Sequence, residues 1–236
     1  RKTGIGADGI LLIESPRHEN CRFTMRYFNR DGRESEMCGN GARASAYHAN
    51  TKDLAAPTMQ FEVSGEVYHA EVVHDRVSLR MQEPRDLRLQ VGMLQTPAVP
   101  WTAKLTEGGF VNTGVPHLVL FVETVEQIDV ESIGRALRHH RAFAPAGTNV
   151  NFIEIVDAAH VRIRTYERGV EEETLACGTG AVASALIAQH MRGVNFPVHL
   201  STRGGELVVS REAVSNRLLL QGQVKHVFTG EFEPWN

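Results

Sequence analysis

Short apolar, β-branched runs separated by turn residues recur along the whole chain, and they predict a β-rich protein. In the first part the predicted strands are Ile10–Ile13, Phe23–Phe28, Met59–Val63, Val67–Val73 and Val77–Met81. In the second part they are Phe110–Asn112, Leu118–Val122, Val150–Val156, Val161–Tyr166, Val198–Ser201, Leu207–Val209 and Arg217–Leu220. Because only a few helical segments interrupt these strands, the pattern predicts an α+β fold.

The helical segments differ in how their apolar residues are placed. The residues after Cys177, as far as Met191, are small or apolar almost all round, which predicts a helix buried on every side. A run of small residues also follows Cys38 and predicts a helix in a matching position. The segment from Val130 to His139 has one apolar and one polar face, and it predicts an amphipathic helix.

One nine-residue motif occurs twice, as C-G-N-G-A-R-A-S-A from Cys38 to Ala46 and as C-G-T-G-A-V-A-S-A from Cys177 to Ala185. Upstream of the motifs, Phe28-Asn29-Arg30 matches Tyr166-Glu167-Arg168. Each cysteine precedes a glycine-rich turn that opens a helix, so a sulfur atom and unpaired backbone N–H groups lie together. We expect the two helix N-termini to face each other around one anion.

The duplication divides the chain into two pseudo-symmetric units with the candidate site in the cleft between them. Residues 1–84 are the predicted first unit, residues 85–222 the second, and residues 223–236 a C-terminal strand that returns to the first unit. Each unit is predicted to be a curled mixed or antiparallel sheet around a central buried helix. The second unit has more than twice as many residues before its cysteine as the first. We therefore expect one or more strands of the natural first unit to lie upstream of Arg1.

Composition and charge narrow the possible functions. The chain has 236 residues and a formal net charge of −3, with acids and bases interspersed, so nothing indicates binding to nucleic acid or to an anionic membrane. No apolar stretch approaches the roughly 18 residues that span a bilayer, and the first residues lack the apolar core of a signal peptide. These features predict a cytoplasmic enzyme with a small-molecule substrate.

The three cysteines are too few for a disulfide framework, and no Cys or His pair has the spacing of a zinc site. No metal site is therefore predicted. Cys21 lies outside any motif and is interpreted as structural. At Cys38 and Cys177 the helix dipole favours an anion by about 0.3–1 kcal/mol, and by about 2 kcal/mol in buried geometries. We expect this to lower the pKa of a thiol by about one unit.

Two neighbouring thiols do not both ionise easily, so the pair is expected to titrate as one thiolate and one thiol. The thiolate can remove a proton from one face of a substrate carbon while the thiol delivers a proton to the other face, which inverts the stereocentre. A carbanion next to a carboxylate places charge on the carboxylate oxygens. The backbone N–H groups expected to stabilise that charge belong to Gly39, Asn40, Gly178 and Thr179.

Charged and amide side chains near the second motif suit an amino-acid end group. Arg168 can bind a carboxylate in a bidentate manner, and Glu167 can bind an ammonium group. Asn29 and Asn149 offer neutral hydrogen bonds nearby. Together these four residues suggest a substrate with a second amino-acid end beyond the reacting carbon.

Three motifs follow one another along the chain: Phe28 to Arg43, Gly147 to Phe152, and Glu167 to Gly180. Their set resembles the diaminopimelate epimerase family, and the resemblance covers essentially the whole chain. It implies a cofactor-independent, two-base interconversion of LL- and meso-diaminopimelate that supplies lysine and cell-wall synthesis. It also implies a homodimer.

The resemblance assigns a role to each candidate residue. Cys38 and Cys177 would be the acid/base pair, and the four helix-start amides would hold the reacting carboxylate. The residues that would hold the distal, non-reacting end are Asn29, Asn149, Glu167 and Arg168. His117 matches a family position, and a supporting role is expected for it.

The chain also departs from the family pattern. A family segment that carries a substrate-binding asparagine is absent from this sequence. Gly9 and Val115 stand where some members have glutamine and asparagine, so those two contacts are not carried over.

Two other functions remain open. One is a two-thiol racemase that acts on proline or hydroxyproline, although such a cyclic substrate has no second end for Glu167 and Arg168 to bind. The other belongs to a different class: a carboxylate-binding protein in which Cys38 and Cys177 form a switchable disulfide.

Overall fold

The computed structural model describes residues 6–7, 9–29, 32–35, 37–90 and 107–231. Within these ranges the chain forms fifteen strands and three α-helices. The strands are β1 (Gly9–Glu14), β2 (Thr24–Asn29), β3 (Glu34–Ser35), β4 (Thr58–Val63), β5 (Glu66–Val73), β6 (Arg76–Arg80), β7 (Arg85–Leu89), β8 (Gly108–Asn112), β9 (Pro116–Phe121), β10 (Asn149–Ile155), β11 (His160–Glu167), β12 (Glu172–Thr174), β13 (Val198–Thr202), β14 (Gly205–Arg211) and β15 (Leu218–Gln223). The helices are α1 (Gly39–Thr51), α2 (Val130–Arg138) and α3 (Gly178–Arg192).

The described strands belong to one mixed sheet. Its main path runs β1-β2-β4-β5-β6-β15-β14-β13-β11-β10-β9-β8-β7, with β3 paired to β2 and β12 paired to β11. The pairs β2–β4, β9–β10 and β11–β13 are parallel, and the other neighbours are antiparallel. The structure therefore confirms the predicted α+β fold with a mixed sheet.

The strand order repeats on the two sides of the β6–β15 pair. One side continues through β5, β4, β2 and β1, and the other through β14, β13, β11 and β10. In each half a helix connects the two strands of a parallel pair: α1 lies between β2 and β4 in the sequence, and α3 lies between β11 and β13. The duplication thus extends from the cysteine motif to a whole half of the sheet, while β7 to β9 and α2 have no counterpart among the described residues of the first half.

Strand β15 joins the two halves. Its residue Leu220 lies opposite Val209 of β14 on one side and opposite Leu79 of β6 on the other. The strand that reaches the first half is thus Leu218–Gln223, whereas the sequence predicts it at residues 223–236. After the strand, the Val224 N–H still donates to the Asp75 carbonyl, but residues 224–231 form no strand. The division of the chain at residue 84 stays a prediction.

Helix α3 is buried as its sequence predicts. Every residue from Gly178 to Ala188 is buried, because sheet strands from both ends of the second half pack around it. The helix ends at Gly193, whose left-handed φ of 68° directs its N–H to the carbonyls of Ala188 and Gln189. Within the described part of the chain, no helix is both long enough and apolar enough to cross a membrane.

The apolar core runs without interruption from the first half to the second. One cluster of buried side chains includes Ala42 and Ala46 of α1, Leu79 of β6, Leu220 of β15 and Ile187 of α3. A separate, smaller cluster lies between α2 and the strands beneath it. Because the larger core holds α1 and α3 against the same sheet, the positions of the two helix N-termini are fixed relative to each other.

Candidate active site

Helices α1 and α3 meet at their N-terminal ends. Cys38 is the N-cap residue of α1, and Cys177 is the N-cap residue of α3. A Cβ atom built on Gly39 would lie 3.6 Å from the Cα atom of Gly178, so the first turns of the two helices are in van der Waals contact. The first four N–H groups of each helix have no partner within the helix. The fold therefore places two sets of such donors, each with a thiol, side by side.

The two glycines that follow Cys177 are required by close packing. A Cβ atom on Gly178 would approach the Leu220 Cδ2 atom to 2.8 Å. A Cβ atom on Gly180 would lie 2.5 Å from the Asn151 Oδ1 atom and 3.3 Å from the Cys177 Sγ atom. Because such approaches are shorter than van der Waals contact, a larger residue at either position would displace the groups around the thiol.

The Cys38 sulfur has backbone and charged neighbours. Its Sγ atom accepts a hydrogen bond from the Gly41 N–H at 3.3 Å. The Asn40 side chain connects the two motifs, because its Nδ2 atom donates to the Ala176 carbonyl at 3.3 Å and its Oδ1 atom accepts from the Arg43 Nη2 atom at 2.7 Å. Asn40 can therefore offer a ligand its backbone N–H, while its side chain holds the loop before Cys177.

The Cys177 sulfur lies at the end of a chain of side-chain contacts. Its Sγ atom is 3.5 Å from the Thr179 hydroxyl, which is 2.9 Å from the His117 Nε2 atom. The His117 Nδ1 atom is 3.1 Å from the Asn151 Nδ2 atom. The Asn151 Oδ1 atom in turn accepts a hydrogen bond from the Thr165 hydroxyl at 3.0 Å. All members of this chain are buried, so each contact is shielded from water.

These contacts determine which nitrogen of His117 carries the proton. Asn151 accepts through Oδ1 and donates through Nδ2, which also bonds the Leu118 carbonyl at 3.0 Å. Nδ1 of His117 is then an acceptor, and its Nε2–H donates to Thr179. The Thr179 hydroxyl hydrogen is left to point at Cys177. Burial lowers the pKa of His117 to about 3, and the positive charge of Arg168 acts in the same direction. The imidazole is therefore neutral at physiological pH.

The substitution Asn151→Asp is expected to move the ring proton of His117 from Nε2 to Nδ1. A carboxylate at residue 151 only accepts hydrogen bonds when it is ionised, so it favours a proton on the facing nitrogen. The ¹⁵N chemical shifts of the His117 ring, measured by NMR, report the tautomer. Asn149→Asp is the control, because Asn149 lies on the same strand but bonds backbone groups instead of His117. A wild-type protein with its proton on Nδ1 would contradict the arrangement.

Burial raises the pKa of both candidate catalytic thiols. The negative charge of Glu167 acts in the same direction at Cys38 and at Cys177, whereas the Gly41 N–H opposes it at Cys38. The expectation that a helix N-terminus lowers each thiol pKa is therefore wrong for this fold. The physical reason is that desolvation of a buried sulfur outweighs its attraction to the helix amides.

Glu167 and Arg168 lie at the end of β11 next to the site. Glu167 is half-buried, and this burial raises the pKa of its carboxyl group. The backbone N–H of Arg168 donates to the Asn149 Oδ1 atom at 2.8 Å, and the Asn149 Nδ2 atom donates to the Pro116 carbonyl at 2.9 Å. The Asn149 side chain thus fixes the backbone at Arg168. A direct contact of Asn149 with a substrate stays a prediction.

Asn29 occupies in the first half the place that Glu167 occupies in the second. It is half-buried at the end of β2, as Glu167 is at the end of β11. Arg30, which the sequence matches to Arg168, lies outside the described residues. Gly9 lies opposite Asn29 in the sheet, and a Cβ atom there would come within 2.4 Å of the Tyr27 ring. The glutamine that some family members have at this position would therefore collide with Tyr27.

Sequence reasoning missed several residues that surround the thiols. Asn151 follows Asn149 on the same face of β10, and two asparagines at the buried start of a strand are a usable signal. Thr113, whose hydroxyl donates to the Thr179 carbonyl at 2.9 Å, carries no such signal. Among the residues that the structure describes, no three His, Cys, Asp or Glu side chains come together in a way that could hold a metal ion.

The fold and the paired helix starts define a class of proteins. A probable proline racemase from Agrobacterium radiobacter K84 superposes with a TM-score of 0.70 at 16% identity, covering 98% of this chain and 80% of that one. A PhzF-family phenazine biosynthesis protein from Bacillus anthracis gives a TM-score of 0.69 at 15% identity, covering 92% and 81%. At these identities the likeness concerns the fold alone, so the chain belongs to the class of α+β proteins that have this fold.

Within this class, the chain belongs to the diaminopimelate epimerase family, whose model matches residues 1–86 and 109–227. The diaminopimelate epimerase of Aquifex aeolicus (strain VF5) is 40% identical over 237 residues, which cover 97% of this chain and 81% of the relative. That of Chlorobaculum tepidum is also 40% identical, over 98% of this chain and 87% of the relative.

Proposed function

We propose that this protein is an isomerase that interconverts LL- and meso-2,6-diaminopimelate by proton transfer between Cys38 and Cys177, without a cofactor. Family membership and relatives of that name support the substrate. The observation that carries the mechanism is the contact of the two helix starts, each capped by a thiol. Inversion needs a base on one face of the reacting carbon and an acid on the other, and two facing thiols suit that need.

In the proposed reaction, the thiolate of one cysteine takes the α-proton and becomes a thiol. The electron pair left on the carbon is delocalised onto the adjacent carboxylate. The helix-start N–H groups that would hold this carboxylate are those of Gly39, Asn40, Gly178 and Thr179. The thiol of the other cysteine then delivers its proton to the opposite face and becomes a thiolate. One proton leaves and one arrives, so the charge of the pair is unchanged over the reaction.

The charged residues at the end of β11 support a substrate with two amino-acid ends. An ionised Glu167 in a partly buried position is stabilised by a cation, and a substrate ammonium group would supply one. The Arg168 guanidinium can bind the carboxylate of the same end as a planar fork. Asn29 would add a neutral hydrogen bond, and His117 would support Cys177 through Thr179. Proline has no second end, so these residues favour diaminopimelate over a cyclic imino acid.

The reaction in D₂O, started from one stereoisomer, tests the two-base mechanism. Early product is expected to carry deuterium at the inverted carbon while the remaining substrate keeps hydrogen, because the proton taken by one thiol is not the one delivered by the other. Mass spectrometry of the separated isomers gives both values. Product that retains the substrate hydrogen would contradict a separate acid and base.

Proline and hydroxyproline, incubated under the same conditions, decide between the two racemase hypotheses. Exchange of their α-hydrogen, without exchange in diaminopimelate, would overturn the proposed substrate. A fully reduced protein without turnover on any of these substrates would instead favour the redox-switched binding protein. In the proposed role the enzyme is a cytoplasmic homodimer that supplies lysine and peptidoglycan synthesis, and sedimentation analysis tests the dimer.

A further inference from the structure

The two copies of the cysteine motif differ at two of their nine positions. Asn40 in the first copy corresponds to Thr179 in the second, and Arg43 corresponds to Val182. In the fold, Asn40 and Arg43 are hydrogen-bonded to each other, and Thr179 contacts the Cys177 sulfur. Because the rest of the motif is the same in both copies, these two positions are where the motif itself makes the surroundings of the two thiols unequal.

Arg43 is a buried cation with an unusual environment. The residue is 5% exposed, and its Nη2 atom donates a hydrogen bond to the Asn40 Oδ1 atom at 2.7 Å. Its Nε and Nη1 atoms are buried without a hydrogen-bond partner among the described residues. A buried charge without compensation is costly, so a guanidinium that persists here needs a negative partner.

The position of Arg43 identifies that partner. A Cβ atom on Gly222 of β15 would lie 2.9 Å from the Arg43 Nε atom, and one on Gly178 would lie 3.6 Å from its Nη1 atom. The guanidinium therefore lies between α1, α3 and β15, beneath the first turns of both helices. Both helix N-termini are themselves electropositive, so they cannot compensate the charge of Arg43. Its negative partner is therefore an ionised group of the candidate active site at these helix ends.

We propose that Arg43 makes the two thiols chemically unequal, so that Cys38 loses its proton before Cys177 and is the first base of the pair. Arg43 acts here as a positioning residue through its charge, since it need not touch a substrate. The inference rests on the proposed two-thiol site and adds the order in which its members ionise.

The acidic groups that face the pair do not by themselves create this order. Glu167 on β11 raises the pKa of both thiols, and the charge of Cys38 raises the pKa of Cys177 further. The pKa of Tyr27 on β2 is raised, chiefly by burial and also by the negative charges of Cys38 and Glu167. Arg43 is the nearby cation that acts at Cys38, where it lowers the thiol pKa against the effect of burial.

The burial of the two sulfurs leads to the same order. The Cys38 Sγ atom accepts from a backbone N–H, a contact that favours the thiolate. At Cys177 the Gly180 N–H and the Thr179 hydroxyl likewise lower the thiol pKa, so hydrogen bonds do not separate the two sulfurs. Cys177 is the more deeply buried of the two, however, which favours its neutral form.

Alkylation by iodoacetamide tests the order in which the two thiols ionise. The rate is measured between pH 6 and pH 11 in protein without added substrate, and peptide mass spectrometry gives it for each cysteine. Cys38 is expected to reach its half-maximal rate at a lower pH than Cys177. The third cysteine, Cys21, is buried outside the site and is the internal reference for unfolding. Since a midpoint measures ionisation, accessibility alone does not move it.

The motif itself supplies the matched variant, because the second copy has valine where the first has Arg43. Arg43→Val is expected to raise the midpoint of Cys38 by about one pH unit, which is about tenfold less labelling below the midpoint. Arg43→Lys keeps the charge and is expected to keep the midpoint. A structural role alone would slow or speed labelling at every pH and expose Cys21 without moving the midpoint.

Two results would overturn the proposal. One is a wild-type protein in which Cys177 ionises first, and this result needs no variant. The other is an Arg43→Lys variant whose Cys38 midpoint shifts as far as that of Arg43→Val. If rapid labelling of Cys21 shows that the valine variant unfolds, Arg43→Met takes its place in this comparison. Alkylation needs no turnover, so its outcome is independent of whether the deuterium experiment supports the epimerase reaction.

Discussion

Cys38→Ala and Cys177→Ala are each expected to lower kcat by about 10²- to 10⁴-fold, the usual contribution of a positioned acid or base. Each variant leaves one face of the reacting carbon without a proton donor or acceptor. The helix-start N–H groups remain in place, so KM is expected to change far less than kcat. Steady-state kinetics in both directions, starting from each stereoisomer, measure the two constants.

The remaining cysteine gives the experiment a second readout. A single thiolate can still remove a proton and return one to the same face, so each variant is expected to exchange α-hydrogen in D₂O without inverting the carbon. Cys21→Ala is the control, because Cys21 is buried away from both motifs and is expected to leave kcat unchanged. An alanine variant that epimerises at the wild-type rate would remove its cysteine from the chemistry.

Arg168→Lys is expected to raise KM by about 10- to 150-fold with a much smaller change in kcat. A hydrogen bond to a charged group contributes about 1.5–3 kcal/mol, and lysine replaces a planar fork with a point charge. The backbone of Arg168 is held by Asn149, so the substitution leaves the loop in place and changes the head group. The measurement is KM for diaminopimelate at fixed pH and ionic strength.

Arg162→Lys is the matched control for that substitution. Arg162 lies on the same strand, is exposed, and pairs with Glu154 at 2.7 Å. Surface ion pairs of this kind contribute about 0–1 kcal/mol, so neither KM nor kcat is expected to change. If KM for Arg168→Lys equals that of the control variant, Arg168 does not bind the substrate.

The regular elements were predictable because their side-chain periods are strong. The alternation of Glu66–Val73 and the uniformly small residues of Gly178–Arg192 indicate their structures directly. Strands β3, β7 and β12 were missed for the opposite reason. All five residues of β7 are exposed, and the strand exists because β8 supplies its hydrogen bonds. Such a strand depends on its partner more than on its own residues.

The site was predictable in its reactive groups and not in their surroundings. The duplicated motif identifies Cys38 and Cys177 without any structure. His117 and Asn151 come together only because β9 and β10 are parallel neighbours, with His117 opposite Asn149 in register. No local pattern in the sequence contains that pairing, and the orientation of Thr179 depends on it.

By itself, the sequence determined that this protein has two related halves, that each half begins a helix with a thiol, and to which family the chain belongs. Only the tertiary structure decided the acidity of those thiols. The pKa values of both depend on burial and on Glu167, and that of Cys38 depends also on Arg43, residues that come from elements far apart in the chain. The physical reason is that a motif specifies local backbone geometry, whereas desolvation and charge interactions act through space.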